Sequence, residues 1–216
     1  MAYGFKVEIR GAYALFSRPE LKVERVSYEV ITPSAARGIT EAVMWKPAIK
    51  YVIDEIAVCS EIKFENIRRN EVSSIANTLE PKSSTFSRQQ RASLVLKDVC
   101  YLVSAHFEMT SQAGENDNEG KFAEMIRRRL EKGQNFHTPY LGTREFPAEV
   151  RLVDENSKAP EPINETRPLG IMLYDMEYIT EKNKKGETVV KEFIPTYFMA
   201  DLKNGVIDLR NVEVMR

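Results

Sequence analysis

Two stretches of the chain carry side chains that can hold a phosphate or transfer a proton. The segment 118–121, Asn-Glu-Gly-Lys, places Lys121 in the first turn of an expected helix, where backbone amides already favour an anion. His137 and Tyr140 lie in the loop expected after that helix, where side chains are freer to act than in a core. Lys121 is therefore suited to hold a phosphate during cleavage; a solvated lysine and an inactive, exposed histidine are the alternatives.

Other types of site are not indicated by the sequence. It has no Gly-rich phosphate loop, no Cys/His metal spacing and no nucleophile elbow. His106 lies in an apolar run, and we interpret it as a satisfied histidine of the core or a sheet. We expect neither a metal nor an organic cofactor.

The compartment can be predicted from the cysteines and the apolar runs. Cys59 and Cys100, the only cysteines, lie in apolar, strand-like runs and are predicted to be buried free thiols of a reducing compartment. The N-terminal segment does not have the pattern of a signal peptide, and no apolar run approaches the roughly 18 residues of a membrane span. We expect a cytoplasmic protein with no membrane partner.

The charge pattern leaves polyanion binding open. The net charge of −1 argues against a protein that is basic over its whole surface. Basic residues nevertheless cluster, notably at 127–129, and a segregated basic patch can hold a polyanion on one face. Solvated helix and loop faces are the alternative interpretation.

The elements that must position these residues can be predicted from hydrophobic spacing. Alternating apolar residues predict a first strand, with Tyr13 in the loop after it. Thr32 and Pro33 have the residue types of a helix N-cap and first turn, and Pro47 ends the helical pattern. The next strand, over about 49–58, is expected to contain a β-bulge.

The following residues repeat the alternation of strands and helix. The polar segment 68–92 is predicted to be a long exposed loop or irregular hairpin. A strand over 94–109 follows, and then a helix over 118–132 with a left-handed C-cap at Gly133. A further strand is expected over 146–153.

The resulting order, β-α-β-β-α-β, is that of an α+β, ferredoxin-like (RRM-like) domain, which we assign to residues 1–155. After a Pro-rich stretch, strand-type runs separated by polar turns predict a C-terminal antiparallel β appendage over residues 170–216. Ferredoxin-like domains occur in RNA-recognition modules and in many small enzymes, so the fold by itself does not assign a function.

Five motifs, taken in order along the chain, resemble those of a known family. Together they are similar to the CRISPR-associated Cas-five proteins of the Dvulg subtype, which belong to type I-C systems. Each motif is weak alone, but the set in this order is specific and extends nearly from end to end. The motifs are residues 11–16 (GAYALF), 42–47 (AVMWKP), 118–121 (NEGK), 141–145 (LGTRE) and 198–207 (FMADLKNGVI).

The resemblance implies an endoribonuclease that binds the repeat hairpins of precursor CRISPR RNA and cleaves at the 3′ base of each. Cleavage in this family needs no metal, because the ribose 2′-hydroxyl attacks the phosphorus. The protein then keeps the guide RNA as a subunit of the type I-C surveillance complex, beside its other subunits. A ferredoxin-like domain with a β-rich appendage is also implied, in agreement with the pattern above.

The catalytic residues of the family are only partly present. The usual set is a tyrosine before Trp-Lys-Pro and a lysine–histidine pair at the start of the second helix. Lys121 matches the lysine, whereas Met44 and Phe122 occupy the tyrosine and histidine positions and cannot transfer a proton at neutral pH. We therefore hypothesise that Lys121 stabilises the phosphorane and that His137 or Tyr140 supplies proton transfer.

RNA binding does not depend on the two missing groups. The three consecutive arginines of the second helix point in different directions, so at least one should face an RNA backbone. The arginine after the Leu-Gly-Thr turn can bind a phosphate bidentately, and the tryptophan can stack on a base, with a core position as its alternative. Tyr13 is also a further candidate for proton transfer. The predicted RNA-binding residues are Arg127, Arg128, Arg129, Arg144, Trp45 and Tyr13.

Two other functions remain open. A non-catalytic subunit that caps the 5′ handle of a guide RNA cut by another protein is favoured by Met44 and Phe122. A metal-dependent nuclease that acts on DNA is the third hypothesis. Asp117 and Glu119 are the carboxylates that could hold its metal, although two acids in a loop are more often solvated.

Overall fold

The computed structural model describes residues 3–21, 24–72, 88–154, 157–182 and 188–216. The elements within these ranges are mostly strands. In chain order they are β1 (Gly4–Ala14), β2 (Arg25–Val26), α1 (Pro33–Val43), β3 (Ile49–Val58), β4 (Lys63–Val72), β5 (Arg88–Met109), α2 (Glu119–Glu131), β6 (Glu149–Val153), β7 (Arg167–Lys182), β8 (Thr188–Leu202) and β9 (Val206–Asp208).

Most of the strands belong to one sheet, and β5 lies at its centre. The strand order is β6-β1-β5-β3-β9, and each neighbouring pair is antiparallel. β4 and the short β2 also pair with β5, outside this path. The fold is therefore α+β with a mostly antiparallel sheet, which confirms the α+β part of the predicted fold class.

The two halves of β5, which is 22 residues long, have different partners. Its first half, residues 88–97, pairs with β4, and its second half pairs with β1 and β3. Asp98, with a left-handed φ of 51°, lies where the pairing with β4 ends. We call β4 together with residues 88–97 the β4–β5 arm.

Two forms were predicted for the segment 68–92, a long exposed loop or an irregular hairpin, and its described ends fit the hairpin. β4 continues to Val72 and β5 begins at Arg88, so both described ends of the segment are paired strands. Residues 73–87 lie outside the described residues. Polar composition did not decide between the two forms, because main-chain hydrogen bonds hold a strand pair together while its solvent-facing surfaces accept polar side chains.

Tyr13 lies inside β1, and the prediction of a loop there was wrong. β1 continues to Ala14, and Tyr13 pairs with Lys97 of β5. Gly11 and Ala12 interrupt the apolar alternation of the sequence, but the main-chain ladder with β5 continues past them.

Both helices begin at residues that cap them, and the cap of α1 was predicted. The Thr32 side chain accepts a main-chain hydrogen bond of 3.2 Å, and Pro33 takes the first position of α1. The Asn118 side chain accepts from the N–H of Lys121 at 2.9 Å at the start of α2. Gly133, after α2, has the predicted left-handed conformation, with φ of 61°.

One hydrophobic core joins the helices to the central sheet. Val7 and Ile9, alternate residues of β1, are fully buried. The apolar stripe of α2 faces the same core. Its buried residues are Phe122, Ile126 and Leu130.

The C-terminal part forms a hairpin and then returns to the main sheet. β7 and β8 pair only with each other among the described strands, whereas β9 pairs with β3. Met172 and Phe198, one from each strand of the hairpin, are buried in the main core. Arg37 of α1 donates to both carboxylate oxygens of Asp175, at 3.0 and 2.7 Å, and this bond ties the hairpin to α1. The division between domains at 155 and 170 stays a prediction.

The sequence also made predictions about a β-bulge in β3, the two cysteines and membrane-spanning segments. The predicted β-bulge in β3 is confirmed, since the register shifts between Ile53 and Glu55. Cys59 and Cys100 are free thiols, but only Cys100 is fully buried. Within the described ranges, neither helix has the length and apolar composition needed to cross a membrane.

Candidate functional site

The C-terminal end of α1 holds the loop that follows α2. The N–H groups of Phe136 and His137 donate to the main-chain oxygen of Ala42 at 2.8 and 3.0 Å. Arg129 donates from Nη1 to the main-chain oxygen of Val43 at 2.9 Å. Because the last carbonyls of a helix lack partners within it, these donors satisfy them and fix the loop. His137 is thereby held at the end of α1.

Farther along the same connection between α2 and β6, a second loop (residues 140–145) carries two predicted site residues and is anchored by Leu141. This side chain is fully buried, and its main-chain oxygen accepts from the N–H of Leu15 at 3.0 Å. Gly142 has φ of 84°, and a Cβ atom there would lie 1.9 Å from the Leu15 oxygen, so only glycine is accommodated. The exposed residues on either side of this anchor are Tyr140 and Arg144.

The two loops and α1 enclose an open cleft of about 810 Å³, which we call the α1 cleft. Four of the predicted site residues line it, although they come from different segments of the chain. These four are Trp45, His137, Tyr140 and Arg144, and the other lining residues are Gly38, Glu41, Ala42, Phe136 and Thr138.

Trp45 is 51% exposed, so the alternative of a core position is wrong. Met44, directly before it, is buried and has an extended conformation with φ of −149° and ψ of 118°. Successive side chains of extended backbone point in opposite directions. Burial of Met44 therefore directs Trp45 outward, into the α1 cleft.

The electrostatic character of the α1 cleft suits an anion. Within the described part of the chain no carboxylate pairs with Arg144, whereas its neighbour Glu145 pairs with Arg69. Glu41, the acidic residue of the lining, accepts a hydrogen bond from Arg37 at 2.5 Å, and since Arg37 is shared with Asp175 the charge of Glu41 is partly compensated. An arginine without a carboxylate partner is a strong donor to a phosphate, and an imidazole or phenol nearby can exchange a proton with its ligand.

Lys121 lies outside the α1 cleft, in an exposed ion pair at the start of α2. Its Nζ is 2.9 Å from Oδ1 of Asp117, and 46% of its side chain is exposed. The hydrogen bond from Lys121, followed by one from the Gly114 N–H, lowers the pKa of Asp117. Lys46 also contributes to this lowering of the pKa, and it follows Trp45 directly.

The three arginines of α2 have different environments. Arg129 is engaged with Val43, as described above, and is partly buried. Arg127 forms an exposed ion pair in which its Nε lies 2.8 Å from Oε1 of Glu131. The exposed side chain of Arg128 has neither a hydrogen bond nor an ion pair within the described residues. Arg128 is thus the most accessible of the three for a phosphate.

The residues at the family's tyrosine and histidine positions are both buried. Met44 is 1% exposed and Phe122 is 2% exposed. Lys121 lies over the Phe122 ring, with Nζ 5.7 Å from the ring centroid. Neither position offers a proton-transfer group to the surface, so any such group must come from elsewhere.

Tyr13 and His106 both lie in the central sheet and do not line the α1 cleft. The ring of Tyr13 is half-buried against Phe146, with centroids 5.8 Å apart. His106 is held by Asp54, whose two carboxylate oxygens are each 2.9 Å from Nδ1. The interpretation of His106 as a satisfied sheet histidine is confirmed.

The carboxylates considered for a metal are arranged as follows. Asp117 is engaged through Oδ1 with Lys121 and through Oδ2 with the Gly114 N–H, at 3.0 Å. Glu119 is exposed in the first turn of α2. No group of three or more His, Cys, Asp or Glu side chains in the described ranges is placed to hold a metal ion.

Several residues that line the α1 cleft were not predicted from the sequence. Phe136 is 55% exposed and packs on His137, with ring centroids 4.3 Å apart. A large apolar side chain in a polar loop, beside a candidate histidine, is a signal that could have identified it. Gly38 and Glu41 carry no such signal, because the cleft forms only when distant loops pack against α1.

Comparisons with known proteins agree with this architecture. The Cas5d family model, described as CRISPR-associated protein (Cas_Cas5), matches residues 4–210. A solved structure described as a crystal structure of a CRISPR-associated protein superposes with a TM-score of 0.69 at 22% identity, over 96% of this chain and 92% of that one. This likeness concerns the fold alone.

Two curated relatives are much more similar in sequence. The CRISPR pre-crRNA endoribonuclease Cas5d of Mannheimia succiniciproducens is 47% identical over 226 residues, which cover 97% of this chain and 96% of the relative. The protein of the same name from Thermus thermophilus is 42% identical over 212 residues, covering 94% and 90%. The family predicted from the five motifs is confirmed, and the chain belongs to the Cas5d family of CRISPR-associated proteins.

Proposed function

We propose that this chain is an endoribonuclease that binds the repeat hairpins of precursor CRISPR RNA and cleaves each at its 3′ base. It then keeps the guide RNA as a subunit of the type I-C surveillance complex. The observation that carries this proposal is the 47% identity, over 97% of the chain, to a CRISPR pre-crRNA endoribonuclease. The family model matches residues 4–210, a range that spans the core, both loops of the α1 cleft and the start of α2.

Cleavage proceeds without a metal, by attack of the ribose 2′-hydroxyl on the adjacent phosphorus. His137 or Tyr140 exchanges the proton, and Lys121 stabilises the negative charge of the phosphorane. Two observations support this assignment: His137 and Tyr140 are exposed in the same cleft, and the ammonium of Lys121 is exposed at the start of α2. The assignment requires that Lys121 and the residue that exchanges the proton both reach the scissile phosphate.

RNA binding uses the remaining exposed residues of this surface. Arg144 contacts a phosphate and Trp45 stacks on a base within the α1 cleft, and Arg128 contacts the backbone from α2. Arg127 joins it when RNA displaces Glu131, since exposed ion pairs are weak. Arg129 and Tyr13 act on RNA only indirectly, through the elements that they hold.

We also propose the finer description of the fold as ferredoxin-like (RRM-like). Its support is the antiparallel order β6-β1-β5-β3, with α1 between β1 and β3 and α2 between β5 and β6. The N-terminal unit, residues 1–155, then carries RNA binding and catalysis. The unit 170–216 packs its hairpin on α1.

Cleavage of repeat RNA by wild type, Lys121→Ala and His137→Ala tests the proposal. We expect a loss of about 100-fold in rate for each variant, since each removes either charge stabilisation or proton transfer. Lys203→Ala, which removes an exposed lysine in the turn before β9, is the matched control and should cleave normally. Equal rates in wild type, Lys121→Ala and His137→Ala would discard the assignment.

Two changes in the assay test the chemistry itself. Cleavage should continue in EDTA, because no metal takes part. A 2′-deoxy substitution at the scissile position should abolish cleavage and leave binding intact, because it removes the nucleophile. Cleavage of the 2′-deoxy RNA would contradict the mechanism.

A second function, a non-catalytic subunit that binds the guide RNA, is favoured by one observation. Met44 and Phe122, at the positions of two family catalytic groups, are buried and cannot transfer protons. The EDTA incubation separates the two functions. A discrete RNA product supports the endoribonuclease, and a stable complex with intact RNA supports the binding subunit.

A further inference from the structure

The two cysteines of the chain lie opposite each other on neighbouring strands. β3 pairs with β5 so that Val58 faces Tyr101, and the next pair along the two strands is Cys59 with Cys100. The N–H of Cys59 donates to the main-chain oxygen of Cys100 at 2.8 Å, so the ladder continues one residue past β3. Opposite residues of an antiparallel, hydrogen-bonded pair point to the same face, with Cα atoms about 5.5 Å apart. Disulfides form at Cα separations of about 4.4–6.8 Å, which include this spacing.

The two thiol groups also interact with each other. A hydrogen bond from the Cys59 thiol lowers the pKa of the Cys100 thiol, and the guanidinium of Arg10, opposite Cys100 on β1, lowers it further. Burial opposes this lowering but does not cancel it. The same hydrogen bond, followed by burial, raises the pKa of the Cys59 thiol. Cys100 is therefore the sulfur that ionises, and the thiolate is the form of cysteine that oxidants attack.

The surroundings of the pair restrict which oxidants can reach it. Cys100 is only 4% exposed, whereas Cys59 beside it is partly exposed. The Cys59 sulfur also lies 3.9 Å from the main-chain oxygen of Pro160, in the connection between β6 and β7. Because access to Cys100 is narrow, a small peroxide suits the site, whereas a bulky disulfide such as oxidised glutathione does not.

The cysteine pair lies at the base of the β4–β5 arm. Cys59 directly follows β3, and β4 begins soon afterwards at Lys63. Cys100 lies just after Asp98, where the pairing of β5 with β4 ends. The arm is therefore the part of the chain between the two cysteines. A bond between their sulfurs would close it into a covalent ring.

We propose that Cys59 and Cys100 are a redox modification site, at which a small peroxide converts the two thiols into an intramolecular disulfide that closes the base of the β4–β5 arm. The site takes no part in RNA binding or cleavage, so it goes beyond the proposed function. Disulfides of proteins in reducing compartments are usually transient and redox-sensing, and this one is reversed by a thiol reductant.

The reaction has two steps. The Cys100 thiolate attacks one oxygen of hydrogen peroxide, the O–O bond breaks, and Cys100 becomes a sulfenic acid. The hydroxide that leaves takes the proton of the Cys59 thiol and becomes water. The Cys59 thiolate then attacks the sulfenic sulfur, the S–S bond forms, the S–O bond breaks and hydroxide leaves. The two sulfurs lose two electrons in total, and the peroxide gains them.

Treatment of the full chain with hydrogen peroxide tests the site. After unfolding, alkylation should label two thiols before the treatment and none after it, and dithiothreitol should restore both. A proteolytic fragment of the oxidised protein should join Cys59 to Cys100. Cys59→Ser is the matched variant, because it removes the hydrogen-bond donor and the second sulfur together. Its Cys100 thiol should disappear roughly tenfold more slowly and form no crosslink.

Thermal unfolding tests the closure of the arm. A crosslink around a loop of this length restricts the unfolded chain, so the Tm of the oxidised protein should be roughly 5–10 °C above that of the reduced protein. Peroxide should not raise the Tm of Cys59→Ser, whose untreated Tm also shows whether the variant is folded. An unchanged Tm in crosslinked wild type would refute the closure.

Two results of the peroxide treatment would overturn the modification site itself. One is the survival of both thiols, and the other is the separate oxidation of each cysteine to a sulfinic acid without a joined fragment. Because these measurements use no RNA, failure of the proposed function would leave them unchanged.

Discussion

The ammonium of Lys121 and the carboxylate of Asp117 form a hydrogen-bonded ion pair of 2.9 Å, one helical turn apart. The pair is exposed, and exposed pairs contribute little net stability. A phosphate that binds Lys121 must compete with Asp117 for the same donor. The carboxylate therefore restrains the residue that we assign to the phosphorane.

Asp117→Asn should strengthen the binding of repeat RNA about twofold to fivefold, because it removes the competing charge beside Lys121. The affinity is measured at low salt with RNA that cannot be cleaved. Glu115→Gln, which removes an exposed carboxylate from the same loop, is the control for charge alone. An equal gain in both variants would show that Asp117 does not restrain Lys121.

The pH dependence of this effect follows from the lowered pKa of Asp117. Because the carboxylate stays ionised at neutral pH, the ratio of the two affinities, Asp117→Asn to wild type, should be constant between about pH 6 and pH 8. A lowered pKa means that the ion pair is intact above the ordinary value and is lost as the pH falls through the lowered one. A ratio that changes near neutral pH would contradict the pairing.

Substitutions of the adjacent residues Arg128 and Arg129 should have different effects: the first should change RNA binding, and the second should change stability. Arg129→Met removes the donor to the Val43 oxygen and should lower the free energy of unfolding by about 1 kcal/mol, since that oxygen keeps its 3.2 Å bond from Phe136. Arg128→Met should change stability by less than about 0.5 kcal/mol. It should instead reduce the salt dependence of RNA binding. Urea unfolding and salt titrations measure the two effects, and the reverse pattern would refute the assignment.

Gly142→Ala should unfold the loop that carries Tyr140 and Arg144. The new side chain would sit on a residue with a left-handed φ, and its Cβ atom would lie 1.9 Å from the Leu15 oxygen. We therefore expect the free energy of unfolding to fall by about 3 kcal/mol. Gly133 has a similar left-handed φ but open space where a Cβ would lie, so Gly133→Ala should lower the free energy of unfolding by only about 1 kcal/mol. Thermal unfolding of both variants measures the difference, and equal losses would mean that the contact with Leu15 is unimportant.

Arg37→Met should loosen the β7–β8 hairpin from α1. The substitution leaves Asp175 and Glu41, both only partly exposed, without their shared cation. We therefore expect the free energy of unfolding to fall by about 2 kcal/mol. Arg210→Met, which breaks the exposed pair with Asp208, should have no measurable effect. Hydrogen exchange of the hairpin amides should accelerate only in Arg37→Met; unchanged exchange there would contradict the anchoring role.

Local signals predicted the elements well. Thr32 with Pro33, and Gly133, each act through backbone groups a few residues away, so their types alone indicated where α1 begins and where α2 ends. Composition did not decide between the loop and the hairpin predicted for the polar segment 68–92, because a ladder of main-chain hydrogen bonds leaves little trace in composition.

The site was predicted less completely than the fold. Motif resemblance indicated Trp45 and Arg144, and a position in a loop indicated His137; the three residues meet in one cleft. Neither signal could show that Lys121 lies outside that cleft, because this depends on packing between segments far apart in the chain.

The β4–β5 arm reaches the second loop through Arg69, which is bonded to Glu145 and lies 5.4 Å from the Phe146 ring centroid. The arm continues unbroken through β5 into the central sheet, with left-handed Asp98 at the junction. The arm is therefore joined to the rest of the molecule at two places: along β5 to the central sheet, and through Arg69 to the loop that bears Arg144. Residues of three distant segments, β4, β5 and this loop, thus share one set of contacts.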